Sequence, residues 1–346
     1  MISKRMRAPA ALAMFCVLCG GALGADPADR PDKPPARDAT YKGPKVELKV
    51  KFTPGSYVLT EKMSAPLKMK MTVDGRTQPM DMTVAMTVGG DVSISEADAT
   101  GRQTVRFVCR TVRTDMSVFG AAMTYHSDGP AARQTPRLAA ALKPLVGTAV
   151  TLTGKDGKWA DVSKALHAVL SRIGNTPMRQ QMKGTWGPFL QGMLTRHWAG
   201  MIPPAPVGPG DEWTATINLS SVPMLGKMVF EANCRLRDIR GTAQGEIAVI
   251  DYVVKAKLAD RQVTPGPDGP PMTLTIKALA IHMAGSVEFN MDTGLGTRID
   301  LKQDLTASMS AARGATNVAM DIAADVTYAN TLVKTEGGGN QVAPAK

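Results

Sequence analysis

Four histidines, His126, His167, His197 and His282, are the residues from which a reading of this chain's chemistry begins. No two stand at the i, i+4 spacing with which a helix holds zinc. His126 closes a strand-like run beside Ser127-Asp128-Gly129, His282 interrupts another, and His167 and His197 border apolar helical stripes. A structural role is expected for each. There is no Gly-x-Ser-x-Gly elbow, no cysteine with a clear histidine partner, and the run Gly337–Gly339 lies in the tail, where it cannot cradle a phosphate. Carboxylates are scattered through turns among Lys and Arg, with no recognisable acid and base pair. The expectation is a non-enzymatic protein with no cofactor and no metal. A hydrolase with dispersed residues is the less favoured alternative, and would need His126 or His282 beside a carboxylate and a serine in one cleft.

Methionine is abundant, 22 of 346 residues. Met69 and Met71 with Met80 and Met82 would place four thioethers near one hairpin, the soft ligand set of Cu(I). They share a face with Leu67, Val73 and Val84, however, where methionine ordinarily fills irregular apolar space. Packing is therefore the expected use, with the lining of a lipid-like site second. Of the four cysteines, Cys16 and Cys19 fall in the amino-terminal apolar run, leaving Cys109 and Cys234. Strand alternation points both inward, and two buried thiols or one disulfide remain open alternatives.

These side chains must be positioned by strands. Leu67, Met69, Met71 and Val73 alternate with Lys68, Lys70 and Thr72, and Met80, Met82, Val84, Met86 and Val88 alternate with polar or small residues. Asp74-Gly75 between them marks a hairpin. Further strands are expected near 46–52, 56–63, 103–118, 148–154, 211–219, 226–239, 246–258, 272–282, 284–291, 296–308 and 316–330. The fold class is mainly β with a few central helices: long antiparallel strands in a curved sheet or half-barrel. One helix is expected from Asp161 to about Ile173, a second from about Thr185, with Trp186, Phe189, Leu190 and Met193 on one side. Candidate ligand-binding residues are Met69, Met71, Met82 and Met86 from the sheet and Trp186, Phe189, Leu190 and Met193 from that helix.

The segment Leu145–Leu152 followed by Asp156-Gly157 is echoed by Met283–Phe289 followed by Thr293-Gly294, which suggests a two-fold duplication. The chain then divides into a leader (1–25), a linker (26–44), a first β repeat with a terminal helix (45–174), a helical insert (175–203), a second β repeat (204–333) and a tail (334–346). The leader has the order of a cleavable signal peptide: Lys4, Arg5 and Arg7, the apolar run Ala10–Leu18, then small residues to Ala25. Its apolar core is about half the roughly 20 residues of a spanning helix, and no transmembrane segment is expected in the mature chain. Export to the periplasm or cell envelope is the expected destination. The formal charge of +11 falls to +8 with the leader. With 16 aromatic residues in the chain and no dense basic patch, nucleic acid is not an expected partner. Protein partners are unknown.

The stretch Pro204-Ala-Pro-Val207-Gly208-Pro209-Gly210-Asp211-Glu212-Trp213 resembles the signature of an exported bacterial family catalogued as a domain of unknown function. Gly154–Val162 and Gly285–Gly294 are similar to two further segments of that family, in the same order, although Pro209 interrupts its Val-Gly-Asp run. The resemblance implies no catalytic residues. By fold analogy the chain is also similar to the half-barrels of periplasmic lipoprotein carriers. The leading expectation is an exported protein that binds a hydrophobic or lipid-like ligand between curved sheet and helices, the alternative a structural or interaction module of the envelope.

Overall fold

The computed structural model describes residues 43–155, 158–159, 200–222, 226–263, 273–313 and 316–335, apart from 74 and 119. The expected leader and both expected helices, with Trp186, Phe189, Leu190 and Met193, lie outside these residues, as do His167 and His197.

Alternation along the chain produces long strands because every second side chain can be buried on one face. Among the described residues these are β1 (Gly55–Val73), β2 (Arg76–Ile94), β3 (Gln103–Val118), β4 (Ala121–His126), β5 (Ala149–Lys155), β6 (Lys158–Trp159), β7 (Glu212–Val222), β8 (Gly226–Thr242), β9 (Gly245–Val263), β10 (Thr273–Asn290), β11 (Leu295–Arg313) and β12 (Thr316–Lys334). They form one open, curved antiparallel sheet in the order β6-β5-β3-β2-β1-β12-β11-β10-β9-β8-β7, with β4 paired to β3 off this path. Two meanders thus meet at a seam where the first strand pairs the last, Tyr57 opposite Lys334 and Val73 opposite Val318.

One face carries the two main core clusters, while β9 is buried on both, with Ile247, Val249 and Val253 on its other side. At one end Leu67, Met69, Met82, Val84, Leu236, Ile250, Phe289 and Ile322 form a cluster with Leu48 and Val207. At the other, Tyr57, Leu59, Val88, Phe107, Val112 and Tyr125 pack with Ala141, Leu142 and Leu145. Those last residues belong to and follow α1 (Pro136–Leu142), which Pro136 opens at the first helical position, where its missing N–H costs no bond. The segment before β1 crosses this core. Val46 and Val207 exchange backbone hydrogen bonds of 2.9 Å, and the Lys51 N–H donates to the Gly294 carbonyl. Residues 46–52, expected as a strand, form only that bridge.

The Pro204–Trp213 signature is an anchor. Gly210, at φ +93°, donates its N–H to the Leu236 carbonyl, and the Asp211 carboxylate accepts from the Gly208 N–H and pairs with Lys45 at 2.8 Å. Trp213 then donates its indole N–H to the Met201 carbonyl at 2.8 Å. The expected duplication is not confirmed. Gly147 sits in a turn at φ +77°, whereas Gly285, its counterpart, lies mid-strand in β10. Nor does β10 break into two strands at His282 and Gly285, since β9 and β11 hold it on both sides.

Candidate functional site

Cross-strand register decides which residues are level. Met86, Met63, Tyr328, Leu301, Gly285 and Tyr252 are successive direct partners across β2, β1, β12, β11, β10 and β9. Their side chains share the core face. The residues before and after each of them point the other way, and these, together with Arg237 from β8, line a groove of about 630 Å³. Glu61, Ala65 and Val88, which flank the central row on the core face, line none of it, so the groove opens on the face away from the core. Six strands about 4.8 Å apart give it a length of about 24 Å.

The trough exists because side-chain volume is missing. Ser64, Ala85, Ala284, Ser286 and Ala329 line it, and Gly285 forms part of its floor. Gly285 is needed there: a Cβ would come within 2.3 Å of the Asp300 carbonyl oxygen and 2.9 Å of the Tyr252 hydroxyl, whose ring lies across it. The groove's carboxylates are neutralised, Asp251 by Arg237 at 3.0 Å and Asp300 by Arg298 at 2.6 Å. Its two lysines, Lys62 and Lys302, make no ion pair among the described residues. The lining therefore alternates short apolar and hydroxyl side chains with charged ones, and has a positive balance.

One row further along the same face, His282 stands directly opposite Asp304. Its Nδ1–H donates to the Asp304 carboxylate at 2.8 Å, both side chains being buried. His282 Nε2 has no hydrogen-bond partner among the described residues. His126 makes a similar bond to Asp115 at 2.9 Å at the surface. No serine or cysteine bonds to either ring among the described residues, so the nucleophile that a hydrolase would require is not brought to them.

On the core face Glu61 is the anomaly. It occupies the apolar phase of β1, between Leu59 and Met63, and is 3% exposed. The Tyr328 hydroxyl donates to its Oε1 at 2.9 Å and the Asn330 amide at 2.8 Å, while Oε2 has no hydrogen-bond partner among the described residues. Burial pushes this carboxyl from its ordinary 4.5 to about 7, the two hydrogen bonds offsetting part of the effect. Burial likewise raises the Tyr328 hydroxyl, and the Glu61 charge beside it adds to that rise.

Of the four sheet methionines, Met86 borders the groove and the other three lie with the core. Met69 and Met82 are core, and Met71 packs against the same cluster. Met86 is level with the groove but turns its side chain to the core cluster around Phe107. A trough needs absent volume, and methionine supplies volume. Glu61 was not among the candidates, and His282 entered only through the hydrolase alternative, with its carboxylate unnamed. The first could have been found as a carboxylate in an apolar phase; the pairing of the second rests on a register that a bulge displaces.

Cys109 and Cys234 are free and buried, on β3 and β8, seven strands apart. Burial raises their thiols to about 11 and about 12. In a chain lacking residues 1–25, a thiol reagent at pH 8 is expected to find almost no reactive group in the native state and two in denaturant, since the thiolate is the reacting form. A single unreactive pair in denaturant would show a disulfide instead.

No family model and no curated protein matches the chain. Solved structures that resemble it in part include one titled for lipid–protein interactions in lipovitellin, with TM-score 0.36 and 8% identity over 83% of this chain; the chain spans 26% of that one. The outer membrane protein OprG from Pseudomonas aeruginosa has TM-score 0.21 and 6% identity, with 84% of this chain and 100% of that one covered. A DUF1329 family protein from Desulfovibrio piger has TM-score 0.14 and 9% identity, over 80% and 87%. At such scores the chains do not superpose as one fold. Among the described residues no helix is long and apolar enough to cross a membrane.

Proposed function

We propose that this protein binds an elongated hydrophobic ligand in the groove across β2, β1 and β12 to β9, and that it does so without catalysing a reaction. The observation that supports this is the groove itself. Its volume of about 630 Å³ falls within the roughly 300–1,000 Å³ of small-molecule sites, and its walls are short side chains, alanine, valine, serine and threonine, with charged groups at defined positions. Long and narrow, it suits a flexible chain better than a compact ring system. A structural module of the envelope, packed solid, would have no need of a trough across six strands.

Titration with a pyrene-labelled long-chain alcohol tests the reading. Saturable binding at one equivalent is expected, and Ser64→Trp, at an exposed groove position, is expected to weaken it at least tenfold while leaving thermal unfolding unchanged. Binding that is absent, or that Ser64→Trp does not alter, would exclude the groove as the site.

A further inference from the structure

The site proposed above says where an apolar chain lies but not what it carries at its end. His282 stands two residues before Ala284, and Asp304 two residues after Lys302, with Ala284 and Lys302 lining the groove as direct partners. The imidazole therefore adjoins the groove wall diagonally from Lys302. Two independent features mark this corner. His282 is 6% exposed, its ring is fixed by Asp304, and its second nitrogen has no hydrogen-bond partner among the described residues. Such a buried polar atom costs free energy unless something satisfies it. Lys302, exposed at the groove edge, makes no ion pair among the described residues, while both groove carboxylates are already neutralised by arginines.

Resting on the groove reading, we propose that His282 and Lys302 form an anion-recognition corner that takes the phosphate or carboxylate headgroup of an amphiphile whose chain lies in the groove. Asp304 is the positioning residue: accepting from Nδ1–H, it orients the ring and favours the imidazolium, the form in which Nε2–H donates to an anionic oxygen. Lys302 supplies charge without fixed geometry. The preference is for an anion over a neutral or cationic end, because Lys302 makes no ion pair among the described residues and the two groove carboxylates are already matched by arginines.

The test uses three pyrene-labelled chains of equal length, ending in alcohol, carboxylate or phosphate, with protein residues 26–346. Carboxylate and phosphate probes are expected to bind about tenfold or more tightly than the alcohol. His282→Gln and Lys302→Met are each expected to remove most of that advantage while leaving alcohol binding unchanged. Lys302→Met, at an exposed position, guards against loss of folding in His282→Gln. Asp304→Asn is expected to act like His282→Gln on the anionic probes only. Equal affinity for all three ends, or unchanged preference in Lys302→Met and His282→Gln, overturns the headgroup corner and leaves the groove standing. Failure of every probe to bind overturns both. Displacement of the phosphate probe by inorganic phosphate at matched concentration would reassign the corner to a free anion and overturn the headgroup assignment.

Discussion

Glu61→Gln is expected to remove a pH-dependent instability of about 3 kcal/mol. In the unfolded chain the carboxyl ionises near 4.5, in the folded one at about 7. Between those values the native state holds more protons, so stability falls as pH rises. The favourable contribution is fully present below pH 4.5 and gone above about 7, a loss of about 3 kcal/mol at 1.36 kcal/mol per unit. Glutamine is isosteric with the protonated acid and still accepts from Tyr328 and Asn330 through its oxygen. Urea unfolding of both proteins from pH 4 to 8 isolates this residue as the difference between the two profiles. That difference should grow in favour of the glutamine variant through the window, then stay level. A difference independent of pH would mean that the folded carboxyl titrates as it does in the unfolded chain.

Gly285→Ala is expected to destabilise the protein by about 1–3 kcal/mol, the usual range of overpacking. The added methyl meets both the Tyr252 ring and the Asp300 carbonyl. The ring can rotate away; a backbone carbonyl held between two strands cannot. Urea unfolding in the Tyr252→Ala background separates these contributions. Most of the penalty should survive there, because the obstacle at 2.3 Å is backbone. Complete rescue by Tyr252→Ala would assign the clash to the ring alone.

The long strands were legible because alternation is local. Leu67 to Val73 and Met80 to Val88 declare their buried faces within a few residues, and β1 and β2 follow them. Elements too short to show a period were missed or, like β4, read only from their end at His126. β4 has 6 residues and α1 has 7, and α1 is held in place by burying Ala141 and Leu142 rather than by its own pattern. The site was less legible for a different reason. Counting back from the β10–β11 turn, where Asn290 faces Leu295, would set His282 against Gln303. A register shift at Glu288/Phe289 moves the pairing by one residue and sets it against Asp304 instead. A single such slip exchanges faces, and no residue type announces it. The groove was illegible for a related reason: it arises where small residues on six strands come level, and their strands are spread from residue 62 to residue 329.

The seam between β1 and β12 bears on how the chain reaches this form. Each meander can zip hairpin by hairpin from neighbouring residues. The seam cannot, because Tyr57 must wait for Lys334 and the Thr335 N–H for the Ser56 carbonyl. A chain made from its amino terminus holds the long edge of β1 unpaired until the last strand has emerged, and such an edge invites pairing with other chains. Its alternate lysines, Lys62, Lys68 and Lys70, stand along that waiting edge as charges that discourage a second copy from docking before the proper strand arrives.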